Sequence, residues 1–538
     1  MQDSHYPDVP RDSLRPGPAD LEGILPSSQD PSTFRNDLPT LIRPDETSGL
    51  YGESSDSESG RDTPINDPNS TQSDASSDTN LQSATSSING SVDKEKDIEK
   101  SAEAPAPKLP SPKRDAGPNL VEWDGPNDKE NPRNWPTWRK WTTTMSMAWI
   151  TFVITFASSV FSTATVATAK EFQVSEESMV LGTALFVLGF CVGPIVFGPF
   201  SELYGRKIPL FFGYIVFAIF QIAVAVAQNL QTIFTCRFLG GVFGSAPLAV
   251  IGGALADIWD PVNRGIALAT FSGAAFVGPI AGPIVGSFIA MSDLGWRWTE
   301  YITAIMAFFF AGIGLIVISE TYPPVLLQRR AKELRHKTKN WALHSLLDEN
   351  RVDIKVLANR YLLRPFIMLS LEPILTLMTI YVSLIYGIIY LFFEAYPVTF
   401  QEERGWSPGV GSLPFLANMI GILIGAGIII YTTKTRYARK LKEAGRVVPE
   451  ERLIPMMMGG IILPIGLFWF AWTSNPAITP WPQIISGVPI GVGLLLIFLQ
   501  GVNYIVDCYL MNANSALAAN SLIRCAFGAG FPLFATGM

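Results

Sequence analysis

The chain has 538 residues, a formal net charge of -7, four cysteines and three histidines. The cysteines (Cys191, Cys236, Cys508, Cys525) lie in apolar stretches and the histidines (His5, His336, His344) in polar ones, which argues against a disulfide framework and against transition-metal chemistry. No Gly-Lys-Ser/Thr phosphate loop occurs, which argues against direct drive by ATP hydrolysis, and the negative charge collects in the N-terminal region, where it says little about ligands.

Residues 1–120 are rich in Ser, Asp, Pro and Thr and too poor in apolar area to offset the entropy of ordering; they read as a disordered tail with no signal peptide. Residues 121–141 set four tryptophans beside Arg133, Arg139 and Lys140, a composition suited to the headgroup layer.

Apolar runs long enough to span a bilayer follow at 142–165, 178–200, 208–227, 231–257, 265–290, 300–319, 366–393, 410–432, 453–473, 484–509 and 515–537. The predicted class is an all-α polytopic membrane protein with about 11 transmembrane helices. Its N-terminal six-helix half covers 142–319, a polar central loop 320–364, and a second half 365–538. Loops 201–207, 258–264, 320–365 and 433–452 hold most of the lysine and arginine between spans, whereas the opposite loops around Lys170, Arg297 and Arg404 hold one each. By the positive-inside rule the basic loops and the N-terminal tail are cytosolic. The basic run 329–339 suits anionic lipid better than nucleic acid.

The most informative stretch is GAAFVGPIAGPIVGS, residues 273–287. Ala274, Gly278, Gly282 and Gly286 recur every fourth residue, giving a helix face with almost no side chain on which another backbone can rest. Pro279 and Pro283 are tolerable there because neighbouring membrane helices re-satisfy the freed carbonyls, and a bent, tightly docked helix is expected.

Six spans, a basic loop and further spans resemble the major facilitator superfamily, and four local motifs add to the likeness. GPFSELYGRKIPL (198–210) is similar to its signature loop, with Glu202 where Asp is usual and Leu203 replacing a common Arg. RFLGGVFG with Arg237 lies in the fourth span, and GPIAGP, with Gly278, Pro279, Gly282 and Pro283, resembles the antiporter motif of the drug:proton exporters. WDGPNDKENPRNWP, GWRWTEY and ETYPPVLLQRRA resemble the fungal multidrug and polyamine branch of the twelve-span family. Against that pattern the chain stops as its eleventh span ends, so the twelfth is expected to be missing.

The resemblance implies a major facilitator fold and a proton-coupled exporter at the plasma membrane. It would work as a monomer on small amphipathic or cationic organic compounds, with no covalent step, no cofactor and no metal. It also implies that Arg237 couples proton movement to substrate. On the helical face of Arg237 lie Gly241, Ser245, Ala249, Gly253 and Asp257, a small-residue stripe that places the arginine on the central cavity or against a partner. Glu202, Gly205, Arg206 and Asp257 form a candidate conformational lock: Gly205 makes the turn, Arg206 can pair with Asp257, and Glu202 can face the N-terminus of the eleventh helix. Cavity candidates in the second half are Glu372, Tyr381, Tyr386, Asn503 and Asp507, with Asp507 and Arg524 able to neutralise each other. The alternatives are a polyamine exporter, whose cavity carboxylates would be Glu372 and Asp507, and a non-transporting sensor or inactive truncated transporter.

Overall fold

The structure is a computed structural model that describes residues 119–349, 362–509 and 512–533. The tail reading falls outside the described residues except at 119 and 120. Among the described residues, eleven helices are long and apolar enough to cross a membrane. They are α1 (Thr137–Phe172), α2 (Glu176–Tyr204), α3 (Lys207–Ala225), α4 (Leu230–Ile258), α5 (Pro261–Met291), α6 (Arg297–Val317), α7 (Pro373–Glu402), α8 (Pro408–Ala444), α9 (Pro449–Trp472), α10 (Pro480–Tyr509) and α11 (Ala513–Leu533). A linker helix, Pro323–Thr338, follows α6.

Polar residues punctuate the apolar runs where backbone donors need partners. The side chains of Ser175, Asn229 and Asp260 accept from Ser178, Thr232 and Asn263 N–H at the starts of α2, α4 and α5, and Pro261 supplies a first residue with no N–H to satisfy. Gly205 ends α2 at φ +90°, a conformation other residues rarely adopt. A Cβ there would lie 2.6 Å from the Glu320 carboxyl carbon.

α5 runs unbroken through Pro279 and Pro283 and lies against α1. A Cβ on Gly278 would sit 2.7 Å from Phe152 O and 2.9 Å from Phe156 N; one on Gly282, 2.9 Å from Val160 N. α2 crosses α4 in the same way, with Gly189 close to Phe238 O and Val242 N. In the second half α10 is the central helix, packed on α8 and α9, and α7 packs on α11. The halves meet along α2 with α11 and α5 with α8. Apolar side chains such as Ile305, Phe309 and Ile316 stay exposed on the outer face of α6, as lipid contact requires.

The segment 121–141 does more than present tryptophans. Trp135 is buried under Arg139, whose guanidinium lies 4.1 Å from the ring centroid, while Trp138 stays exposed. Arg330 of the linker helix pairs with Asp124, with Asp128 at 2.6 Å and with Glu130 at 3.6 Å. Val121 N–H donates to His344 O at 2.9 Å and His344 N–H to Asn119 O at 3.0 Å. The lead-in is thus strapped to the linker.

Candidate functional site

Between the two sets of helices lies a cavity of about 390 Å³. Its walls come from the halves of α2, α4, α5, α10 and α11 nearer the basic loops, from the middle of α7 and from Thr155 of α1, and small residues in α4 and α5, Gly252, Gly253, Ala256 and Ala275, leave room. Phe190, Phe271, Phe276, Tyr386, Tyr390 and Phe498 supply aromatic surface. Its charged lining groups are Arg206, Asp257, Arg264 and Arg524. At its inner end, Tyr390 OH and Ser158 Oγ, from opposite halves, lie 2.9 Å apart.

Arg237 is not on this wall, although Ser245, Ala249, Gly253 and Asp257 of its stripe are. α2 is the reason: Gly189 and Gly241 let its backbone so close that the outer part of the stripe becomes a helix contact. Arg237 is fully buried beyond it, donating from Nη1 to Glu300 Oε1 at 3.3 Å and to Ala157 O at 3.0 Å, and from Nε to Gly182 O at 3.2 Å. The rings of Phe161 and Phe186 flank the guanidinium at 4.7 and 4.5 Å. Gln221 Nε2 donates to the other Glu300 oxygen at 2.7 Å. Glu300 lies inside GWRWTEY, a stretch that carried only a family likeness in the sequence; an acid at the start of a span, without an obvious partner, is the available signal.

Arg206 Nε donates to Asp257 Oδ2 at 3.2 Å and its Nη1 to Ser201 Oγ at 2.8 Å. Both partners belong to the first half, so this pair does not itself join the halves. Glu320, absent from the lock as read in the sequence, accepts from Arg206 N–H at 2.7 Å and Lys207 N–H at 3.2 Å, closing the turn opened by Gly205. The polar contacts that do cross here are Asn514 Nδ2 to Glu202 Oε1 at 2.6 Å, at the start of α11, and Arg264 to Asp507 at 3.7 Å.

Of the second-half candidates, Tyr386 and Asn503 line the cavity. Glu372, Tyr381 and Asp507 do not, and those readings are corrected. Glu372 sits at the entry to α7 and accepts from Tyr509 OH at 3.4 Å; a proline at the next position starts the helix after it. Tyr381 turns towards α9 at Gly460. Asp507 is held by Arg452 Nε at 2.9 Å, whose guanidinium lies 3.8 Å over the Tyr437 ring. Asp507 therefore does not neutralise Arg524, which instead lies 5.2 Å from the Tyr386 ring and 5.0 Å from that of Phe498. Gly278 and Gly282 form the α1 contact, while Pro279 reaches the cavity wall. Among the described residues no group of three or more His, Cys, Asp or Glu side chains could hold a metal.

Residues 147–532 match the Major Facilitator Superfamily profile. The chain belongs to that superfamily. It is 58% identical over 420 residues to the citrinin biosynthesis cluster transporter of Monascus ruber, covering 78% of this chain and 84% of the relative. The ascochitine biosynthesis cluster transporter of Didymella fabae is 52% identical, covering 78% and 81%, and the cercosporin transporter of Cercospora nicotianae 49%, covering 78% and 82%. A proton:xylose symporter structure aligns with a TM-score of 0.54 at 15% identity, over 75% of this chain and 88% of that one. As a major facilitator protein the chain is a membrane transporter and not an enzyme.

Proposed function

We propose that this transporter is a proton-coupled exporter of small amphipathic organic compounds of the secondary-metabolite kind, set in the plasma membrane with its N-terminus and basic loops in the cytosol. The observation that carries the reading is a cavity placed between the halves, aromatic on several sides, with a fully buried arginine-glutamate pair one layer behind it. Flat amphipathic molecules gain from aromatic walls, and a carboxylate that exchanges its proton only when its partner arginine moves is a means of coupling. The route from pair to cavity is short: Arg237 holds Ala157 O, and the next residue, Ser158, meets Tyr390 on the cavity wall. The biosynthesis-cluster relatives support the choice of cargo, because a producer of such compounds needs a route out for them.

On this reading Arg237 and Glu300 couple the proton. The Arg206–Asp257–Glu320 turn, with Glu202 and Gly205, sets the basic-loop gate, and the Gly278/Gly282 face of the Gly278-Pro279…Gly282-Pro283 motif keeps α5 rigid against α1 while Pro279 reaches the cavity. A proton entering down a potential of about 100 mV gains roughly 2.3 kcal/mol, to which a pH gradient adds. The test is flux in vesicles holding the purified full chain under an imposed pH gradient. Cargo should accumulate against its own gradient, collapse of the pH difference should stop it, and Arg237→Ala should abolish it. Accumulation that ignores the pH difference would refute the coupling.

A further inference from the structure

The charge that lines the cavity is lopsided. Arg206 is answered by Asp257 at 3.2 Å. Arg264 shares Asp507 with Arg452, so that one carboxylate serves two cations. Arg524 lies on the wall with no carboxylate within 4 Å among the described residues; its neighbours there include Ser521 Oγ at 3.3 Å, the Cys525 thiol, and the Tyr386 and Phe498 rings. Its Nε is buried without an acceptor, and Asn503, on the wall of the same cavity, likewise keeps a buried amide nitrogen without one. Three arginines and one carboxylate therefore face the space that cargo would fill.

An arginine remains charged at every physiological pH and brings five donors in a planar fork that fits carboxylate-like groups. Held at membrane depth without a counterion, it is costly, and an anion arriving in the cavity removes that cost while an organic cation adds to it. The two rings beside Arg524, which lie 6.0 Å apart with their planes inclined at 29°, offer a surface for an aromatic body attached to that anion. We infer that the cavity takes an organic anion: a flat aromatic or conjugated molecule carrying a carboxylate, enolate or sulfonate that docks on Arg524. The inference rests on the export reading above only in calling this ligand cargo. It replaces the cationic substrates expected from the resemblance, and it leaves polyamines without the pair of cavity carboxylates they would need. Export of an anion from a negative interior also moves it in the direction the membrane potential favours.

The test uses three probes on one ring, 2-naphthalenesulfonate, 2-naphthalenesulfonamide and 2-naphthyltrimethylammonium, titrated calorimetrically into the full chain in lipid nanodiscs. The sulfonate is expected to bind at least about tenfold more tightly than the ammonium, as a charge-assisted bidentate contact implies. Arg524→Gln should weaken the sulfonate at least about tenfold and leave the sulfonamide within about twofold, while Arg524→Lys keeps the order of the three. If Arg524→Gln does not yield a monodisperse protein, the wild-type order and Arg524→Lys decide. Ammonium binding as tight as sulfonate, no sulfonate binding at millimolar concentration, or a sulfonate affinity untouched by Arg524→Gln overturns the inference. Sulfonate selectivity without any flux under a pH gradient would instead overturn the export reading and leave the site standing.

Discussion

Arg237 and Glu300 face each other at 3.3 Å with no exposure of either side chain. Such a pair adds little net stability, but removing one member leaves a buried charge, at a cost of about 3–5 kcal/mol. Arg237→Ala and Glu300→Ala should therefore each lower the unfolding midpoint strongly, whereas Arg237→Met combined with Glu300→Met should recover much of the loss and still give no proton-driven flux. Thermal unfolding of the three purified variants, beside flux, checks this; a double variant less stable than both singles would contradict it.

The α1–α5 seam makes a sharper stability prediction because its controls lie on the same helix. A Cβ at Gly278 meets backbone atoms of α1 that cannot give way, while one at Gly273 meets nothing within 4 Å. Gly278→Ala should destabilise by about 1–3 kcal/mol, the usual cost of overpacking, and Gly273→Ala should be neutral or slightly stabilising through lost chain entropy. Equal melting temperatures for the two variants would mean that the seam is looser than drawn.

These features differ in how far the amino-acid order disclosed them. The spans were legible because bilayer thickness sets their length, and the α5 glycines because a four-residue period defines one face of a helix. Which helix that face meets is not local information: Arg237 shared a period with Ser245 and Asp257, yet the approach of α2 divides that face into a packed part and an open part. Glu300 and Glu320 were missed for the same reason, since their partners lie 63 and 114 residues away in the chain. Asp507 and Arg524 looked like mutual counterions on neighbouring spans, but Arg452 at the start of α9 reaches Asp507 instead.

That arrangement at Asp507 separates two roles that could be confused. Arg264 comes from the first half and Arg452 from the second, and they hold different oxygens of one carboxylate, at 3.7 and 2.9 Å. Arg264→Gln leaves Asp507 paired and should cost less than about 1 kcal/mol of stability, in the range of weak ion pairs, while altering how often the halves part at this end. Asp507→Asn leaves two arginines without their acid and should be the more destabilising change. Thermal unfolding ranks the two, and labelling of a cysteine placed at Ala256 on the cavity wall reports opening; unchanged labelling in Arg264→Gln would show that this contact does not hold the gate.

The strap between the lead-in and the linker carries two titratable groups of opposite sign. Asp128 accepts from Glu130 N–H and from Arg330, which hold its carboxyl below the usual range. Its contribution is present above about pH 4, the unfolded value, and is lost only as pH falls through the lower folded one. His344 behaves in the reverse sense. Its Nδ1 faces Ala342 O and its Nε2 faces Glu349 Oε1, both at 2.7 Å. Both are acceptors, so only the doubly protonated ring satisfies both, and its pKa is raised, by the Ala342 carbonyl first and then by the Glu349 carboxylate, with Asp348 nearby adding to the effect. Stability from His344 is therefore complete below about pH 6.5 and is lost as pH rises through the higher folded value. Hydrogen exchange at Val121 and His344, corrected for intrinsic rates, should show protection at pH 6 that falls by pH 9. His344→Gln should flatten that dependence, and Arg330→Ala should lower protection at both pH values. A profile that stays level in the unsubstituted chain would mean that the backbone pairing of 119–121 with 344 holds the strap without help from the ring.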